Sequence, residues 1–212
     1  MEDFVPFASR SYCLIFLLLI VSRGMDFLST WVATPNLVLE GNPLAKKLGW
    51  KWGIPVNLAL CFGLSFWPLP AIVIGTTSTL VAARNFQSAW LMRSLGEQFY
   101  RDWHIERVQE TNVTLYLFCL FAQTLLTGGV GAAVIYFSHG QPVSLAIGLG
   151  IVAYALAVAF YTLLGIWRMR RSTIQSAQAA ERNRTAQKAS PPLGKNDKVL
   201  LAAGHLNPPW GD

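Results

Sequence analysis

The sequence predicts an all-α membrane protein, a bundle of transmembrane helices, from three observations. The chain has 212 residues, of which 53% are hydrophobic and only 13% are charged, whereas about a quarter of a soluble domain is charged. Several apolar stretches reach the roughly 20 residues that a helix needs to cross the hydrocarbon core. Basic residues gather between these stretches and at the C-terminal end. The expected spans are residues 12–34, 50–67, 69–92, 113–137 and 143–167.

The region 50–92 decides how many spans the chain has. It is either one helix kinked at Pro68 and Pro70, which gives four spans, or a hairpin, which gives five. Two prolines this close together strongly disrupt a helix, and the region is too long for one untilted span. The hairpin is therefore the preferred interpretation.

The distribution of Lys and Arg favours the same interpretation. Five spans with the N-terminus outside and the C-terminus inside place most basic residues in the cytoplasm, as the positive-inside rule requires. Four spans with both ends inside would leave a group of lysines outside the membrane. These lysines are Lys46, Lys47 and Lys51. We therefore expect a multi-pass protein of the bacterial inner membrane, with the N-terminus out and the C-terminus in.

Two segments are expected to lie outside the hydrocarbon core. Residues 93–111 predict an interfacial helix, because Leu91, Leu95, Phe99 and Trp103 recur every four residues. The segment 168–212 predicts a basic cytoplasmic tail, helical to about Ala189 and largely disordered beyond. It holds eight Lys or Arg residues against three acidic ones, which favours attraction to anionic lipid. No nucleic-acid partner is expected, because the tail lacks interleaved aromatic residues.

Small residues are concentrated in the last two expected spans. Gly128 and Ala132, like Ala146 and Gly150, are separated by four positions, a spacing that lets helix backbones approach closely. The first interpretation is that these two spans pack against each other. The second is that these faces bind a membrane-protein partner or a second copy of the chain.

Polar side chains recur at one depth in the expected spans. Asp26 lies eight residues from the cytoplasmic end of its span, about 12 Å deep, and Arg84 lies equally deep in the third span. A charge at that depth costs at least about 2.5–3.5 kcal/mol, so it faces a partner or a wet cavity. Either Arg23 or Arg84 is available to pair with Asp26, and we take Arg84 as the counter-ion. The expected polar layer comprises Asp26, Thr30, Glu40, Asn42, Asn57, Arg84 and Asn85.

Several residues of this layer match the sequence pattern of a known family. Over residues 20–90, the chain resembles small bacterial and archaeal membrane proteins of unknown function. Their pattern is an Asp and a Thr four residues apart, then Glu-x-Asn-Pro, then two further spans that end near an Asn. The resemblance implies separate second and third spans and implies no activity. The matching residues are Asp26, Thr30, Glu40, Asn42, Pro43 and Asn85.

Three classes of function are compatible with these features. Motifs of hydrolases, zinc proteases and nucleotide-binding loops are absent from the sequence, so no catalytic residue, resident metal or cofactor is expected. A structural or accessory subunit is the first expectation, and binding or transport through an intramembrane polar cavity is the second. A metal-dependent lipid-modifying enzyme is the third, because Asp26, Glu40 and Asn42 offer oxygen ligands of the kind that hard cations take.

Overall fold

The structure, a computed structural model, describes residues 4–189, and every regular element among them is an α-helix. The all-α prediction is confirmed. The chain divides into two compact units, Met1–Trp167 and Arg168–Asp212. The helices are α1 (Arg10–Ala33), α2 (Pro43–Leu64), α3 (Pro68–Leu95), α4 (Glu97–Glu110), α5 (Val113–Tyr136) and α6 (Pro142–Ala189).

Three of the described helices are long and apolar enough to cross a membrane: α1, α5 and the portion Pro142–Met169 of α6. Within the most apolar stretch of each of these helices, the rest of the protein buries only 17%, 11% and 28%, respectively. So much uncovered apolar surface requires lipid or another protein around it. These helices match the expected spans at 12–34, 113–137 and 143–167. Helices α2 and α3 are less apolar, because α2 carries three lysines and α3 carries several polar residues.

The region 50–92 forms two separate helices. Helix α2 ends at Leu64 and α3 begins at Pro68, with Trp67 extended between them (φ −120°, ψ 100°). The residue before a proline is driven out of the helical region, and proline itself suits the first position of a helix. The single kinked helix of the alternative interpretation is therefore not formed.

Helix α2 starts earlier than residue 50, where the sequence interpretation placed it. The side chain of Asn42 accepts a hydrogen bond from the backbone N–H of Leu44, and Pro43 occupies the first helical position. These two residues form a helix start that the hydropathy pattern does not reveal. The helix then kinks at Gly49, whose φ of 60° lies in the region that favours glycine.

Helix α1 runs antiparallel to α2 and parallel to α3. Tyr12 donates a hydrogen bond to the backbone carbonyl of Phe62 (3.2 Å), whereas Phe27 lies beside Gly53. Gly75 of α3 faces Leu18 and Ser22 of α1, and α1 contacts α3 more extensively than it contacts α2. The chain therefore runs up, down and up through its first three helices, with α1 contacting both others.

Helices α5 and α6 cross at two glycines. A Cβ atom added to Gly131 would lie 2.9 Å from the carbonyl oxygen of Gly148, and one added to Gly148 would lie 2.9 Å from that of Gly131. Gly150 also makes a contact within the chain, because its carbonyl accepts a hydrogen bond from Thr77 of α3 (3.0 Å). Ala132, in contrast, is exposed. The close approach of these helices thus uses Gly131 and Gly148 rather than the expected position 132.

The segment expected to form one helix at 93–111 is divided by Gly96. This residue has a φ of 80° and separates α3 from α4, which begins at Glu97. Leu91 and Leu95 therefore belong to α3, while Phe99 and Trp103 belong to α4. The four-residue repeat that predicted one amphipathic helix crosses the boundary between two.

The second unit is described only as far as Ala189. Helix α6 continues through this part of the chain to that residue, as the sequence indicated. The expected disorder of the rest of the tail concerns residues 190–212, which lie outside the described residues.

Candidate functional site

The guanidinium group of Arg23 joins the first three helices. Its Nη1 atom donates to Asp26 Oδ2 on the same helix (2.9 Å) and to Ser78 Oγ on α3 (3.0 Å). Its Nε atom donates to Asn57 Oδ1 on α2 (2.9 Å), and Nη2 donates to the same oxygen. The side chains of Arg23 and Asp26 are only 27% and 17% exposed. We call Arg23, Asp26, Asn57 and Ser78 the Arg23 network.

Each partner is positioned by its own helix. Residues three apart on a helix are neighbours, so Asp26 lies within reach of Arg23 without any tertiary contact. Asn57 donates through Nδ2 to the backbone carbonyl of Gly53 (2.8 Å), which leaves its Oδ1 atom to accept from Arg23. A charge in a poorly solvated place requires such partners, since an unpaired buried charge is very costly.

A second polar contact lies seven residues further along both α1 and α3. Asn85 donates through Nδ2 to Ser29 Oγ (3.3 Å) and to Thr30 Oγ1 (3.4 Å). Ser29 in turn donates to the backbone carbonyl of Asp26 (2.8 Å). Because α1 and α3 are parallel, equal steps along each helix keep the two contacts in register. Thr30 and Asn85, both named from the sequence, therefore meet in this second contact.

Glu40 and Asn42 make local contacts in the loop that precedes α2. Glu40 Oε1 accepts a hydrogen bond from the backbone N–H of Asn42 (2.8 Å), and Asn42 caps α2. Glu40 also lies close enough for its charge to act on Asp26. The Glu-x-Asn-Pro pattern thus builds the start of α2 and brings a second carboxylate toward the Arg23 network.

Arg84 is not the counter-ion of Asp26, contrary to the interpretation from the sequence. The ion pair of Asp26 is with Arg23, and among the described residues no ion pair joins Arg84 to a carboxylate. The rotation of α3 about its axis explains the difference. Successive helical residues point about 100° apart, and α3 turns Asn85 toward α1, so that Arg84 points elsewhere.

Sequence reasoning treated Arg23 only as a local partner and did not single out Ser78. The sequence nevertheless contains a spacing that indicates a contact between Arg23 and Ser78. Ser78 and Asn85 are seven residues apart on one helix, as are Arg23 and Thr30 on another. Matching the spacing of polar residues between two parallel spans would have paired these positions.

A cleft of about 630 Å³ lies beside the network, between α1 and α2. Its walls are mostly apolar or aromatic, and Arg23 and Asn57 contribute the polar groups. The apolar and aromatic residues include Ile20, Phe27, Trp31, Trp50, Ile54 and Leu58.

Among the described residues, the acidic side chains of the polar layer do not combine with His or Cys side chains into a metal site. In the part of the chain that the structure describes, His, Cys, Asp and Glu side chains do not gather in groups of three or more that would hold a metal ion. Asp26 is instead paired with Arg23, and Glu40 accepts a hydrogen bond from the backbone of Asn42. No protein-family model, curated protein or solved structure matches this chain.

Proposed function

We propose that this chain is a five-span protein of a bacterial inner membrane, with its N-terminus outside and its C-terminus in the cytoplasm. We further propose that it acts as a structural or accessory subunit without catalytic activity. The observation that carries the functional part is the Arg23 network, in which one cation is hydrogen-bonded by side chains from three helices of the same chain.

The course of the first three helices supports the five-span topology. In the proposal α2 and α3 are the two additional spans, and α3, with 28 residues, is about 42 Å long. Asn57 and Ser78 direct their polar groups to Arg23, which makes two moderately apolar helices acceptable in lipid. The resemblance through Asp26, Thr30 and Glu40-x-Asn42-Pro43 agrees with separate second and third spans.

The arrangement of donors and acceptors favours a structural role over transport or catalysis. A transported ion or a substrate needs groups that can exchange partners, but Asp26 already pairs with Arg23. Buried pairs of this kind contribute little net stability and specify how helices pack. The network therefore fixes the rotation and the register of α1 against α2 and α3.

Cation binding is the second candidate, because Glu40 brings a second negative charge near Asp26. Melting of the purified protein in detergent, with and without Na⁺, K⁺ or Mg²⁺ at millimolar concentration, separates the two candidates. A bound ligand stabilises the folded state by mass action, so a structural network predicts no shift with any cation at constant ionic strength. Asp26→Asn should lower the melting temperature equally in every salt. A shift produced by one cation in the wild type and lost in Asp26→Asn would overturn the structural assignment.

The accessory role predicts a protein partner on α5, the least covered of the three apolar helices. Phe118 and Leu126 of this helix are 66% and 72% exposed. A photo-crosslinking residue placed at either position in native membranes should yield an adduct with one other protein. The same residue at Leu14 of α1, which is 59% exposed, is the matched control and should yield lipid adducts. Lipid adducts alone from both helices would contradict the accessory role.

A further inference from the structure

The cleft between α1 and α2 has the length of one membrane leaflet. On α2 it extends from Trp50 to Cys61, eleven residue-to-residue steps and thus about 17 Å. That is about half of the roughly 30 Å hydrocarbon core. Its volume of about 630 Å³ falls within the range of about 300–1,000 Å³ that ligand sites occupy.

The two ends of the cleft differ in chemistry. Trp31, Pro35 and Trp50 line one end, where the indole N–H of Trp50 donates to the carbonyl of Pro35 (2.8 Å). Tryptophan side chains are enriched where hydrocarbon meets the headgroups. Ile20 and Cys61 line the other end and lie deeper in the proposed topology. The lining therefore follows the polarity of a single lipid molecule, with its headgroup at the tryptophan end.

Three lysines lie close in sequence to Trp50, which lines the tryptophan end. The sequence of α2 contains three lysines and no acidic residue, and all three lysines are exposed. Glu40, just before the helix, directs Oε1 to the backbone N–H of Asn42. The exposed lysines are Lys46, Lys47 and Lys51. An anionic headgroup at this end would lie among charges of opposite sign.

We propose that the cleft binds one acyl chain of an anionic phospholipid from the cytoplasmic leaflet, whose phosphate the lysines of α2 hold. This site rests on the proposed five-span topology, because only then does the tryptophan end lie at the cytoplasmic surface.

Gly24 offers a way to block the cleft without disturbing the helices. It lines the cleft, and a Cβ atom added there meets nothing within 4 Å. Gly24→Leu therefore places a side chain where the acyl chain would lie. Gly129→Leu is the matched control, because Gly129 is also an open helical position but lies on α5, away from the cleft. Leucine favours helix more than glycine does, so neither change should weaken its helix.

The test is native mass spectrometry of the full-length protein, released from vesicles containing equal amounts of phosphatidylglycerol and phosphatidylcholine. The wild type and Gly129→Leu should retain one phosphatidylglycerol, with at least about a tenfold preference over phosphatidylcholine. Gly24→Leu should lose this bound lipid, and the triple variant Lys46→Gln, Lys47→Gln and Lys51→Gln should lose the preference. Equal retention by Gly24→Leu and Gly129→Leu, or no preference in the wild type, would overturn the proposal.

Failure of this site and failure of the proposed function give different results. Melting curves of the same samples report whether Gly24→Leu is folded. A folded variant that retains the lipid overturns the site and leaves the Arg23 network untouched. A cation-dependent shift of melting that requires Asp26 overturns the structural role and leaves the lipid result standing.

Discussion

Replacing Arg23 with methionine is expected to destabilise the protein by about 3–5 kcal/mol, the largest effect of any single substitution considered. The change removes the only cation hydrogen-bonded to Asp26 among the described residues and leaves a poorly solvated carboxylate unpaired. It also removes the donors to Asn57 and Ser78, so that α1 loses its polar contacts to both neighbours at this level. Reversible unfolding in mixed detergent micelles measures the loss.

Two further variants make this prediction specific. Arg84→Met removes an arginine of the same expected depth that forms no ion pair with a described carboxylate, so it should cost much less. The double variant Arg23→Met with Asp26→Leu should recover most of the lost stability, because an apolar pair often replaces a buried ion pair at little cost. Equal losses for Arg23→Met and Arg84→Met, or no recovery in the double variant, would show that the network does not hold the helices.

Gly148→Ala is expected to have the second largest effect, a loss of about 1–3 kcal/mol from overpacking. The new Cβ atom would lie 2.6 Å from Ile135 Cγ1 and 2.9 Å from the carbonyl oxygen of Gly131. The side chain of Ile135 can move, but the backbone of Gly131 can yield only if α5 and α6 separate. The same unfolding assay measures this loss.

Gly129→Ala is the matched control for Gly148→Ala. It makes the same change on α5 where the added atom meets nothing within 4 Å. Alanine favours helix over glycine by about 0.5–1 kcal/mol, so this variant should be as stable as the wild type or slightly more so. A Gly148→Ala protein as stable as Gly129→Ala would mean that the close crossing of α5 and α6 is not needed for folding.

The sequence predicts the lengths of the apolar helices well and their rotations poorly. Length and hydropathy are properties of a segment by itself, so α1, α5 and the apolar part of α6 fall close to the expected spans. Pro68 marks the start of α3 for an equally local reason, because proline breaks one helix and begins the next. Gly96 and Gly49 were missed as boundaries, because the sequence does not show that the backbones of these two glycines adopt a positive φ.

At the candidate site, too, the sequence predicts the depth of the polar residues but not the direction in which each side chain points. Counting residues from the ends of the spans placed Asp26, Asn57, Arg84 and Asn85 in one layer. It could not show which side of α3 faces α1, and a difference of one residue, about 100° of rotation, exchanges Arg84 for Asn85. Arg23 became the centre of the network because three helices converge on it, which is a property of packing and not of any one segment.

The topology is the central claim, and labelling of a single cysteine at Leu69 tests it most directly. Leu69 lies in the first turn of α3, beside the turn between α2 and α3, and is 39% exposed. The variant is made in a background without Cys13, Cys61 and Cys119, together with a Gln98→Cys control on α4. A membrane-impermeant maleimide should label Leu69→Cys on intact spheroplasts and Gln98→Cys only after the cells are opened. Protection of Leu69→Cys until the cells are opened would contradict the five-span topology and the cytoplasmic placement of the lipid site.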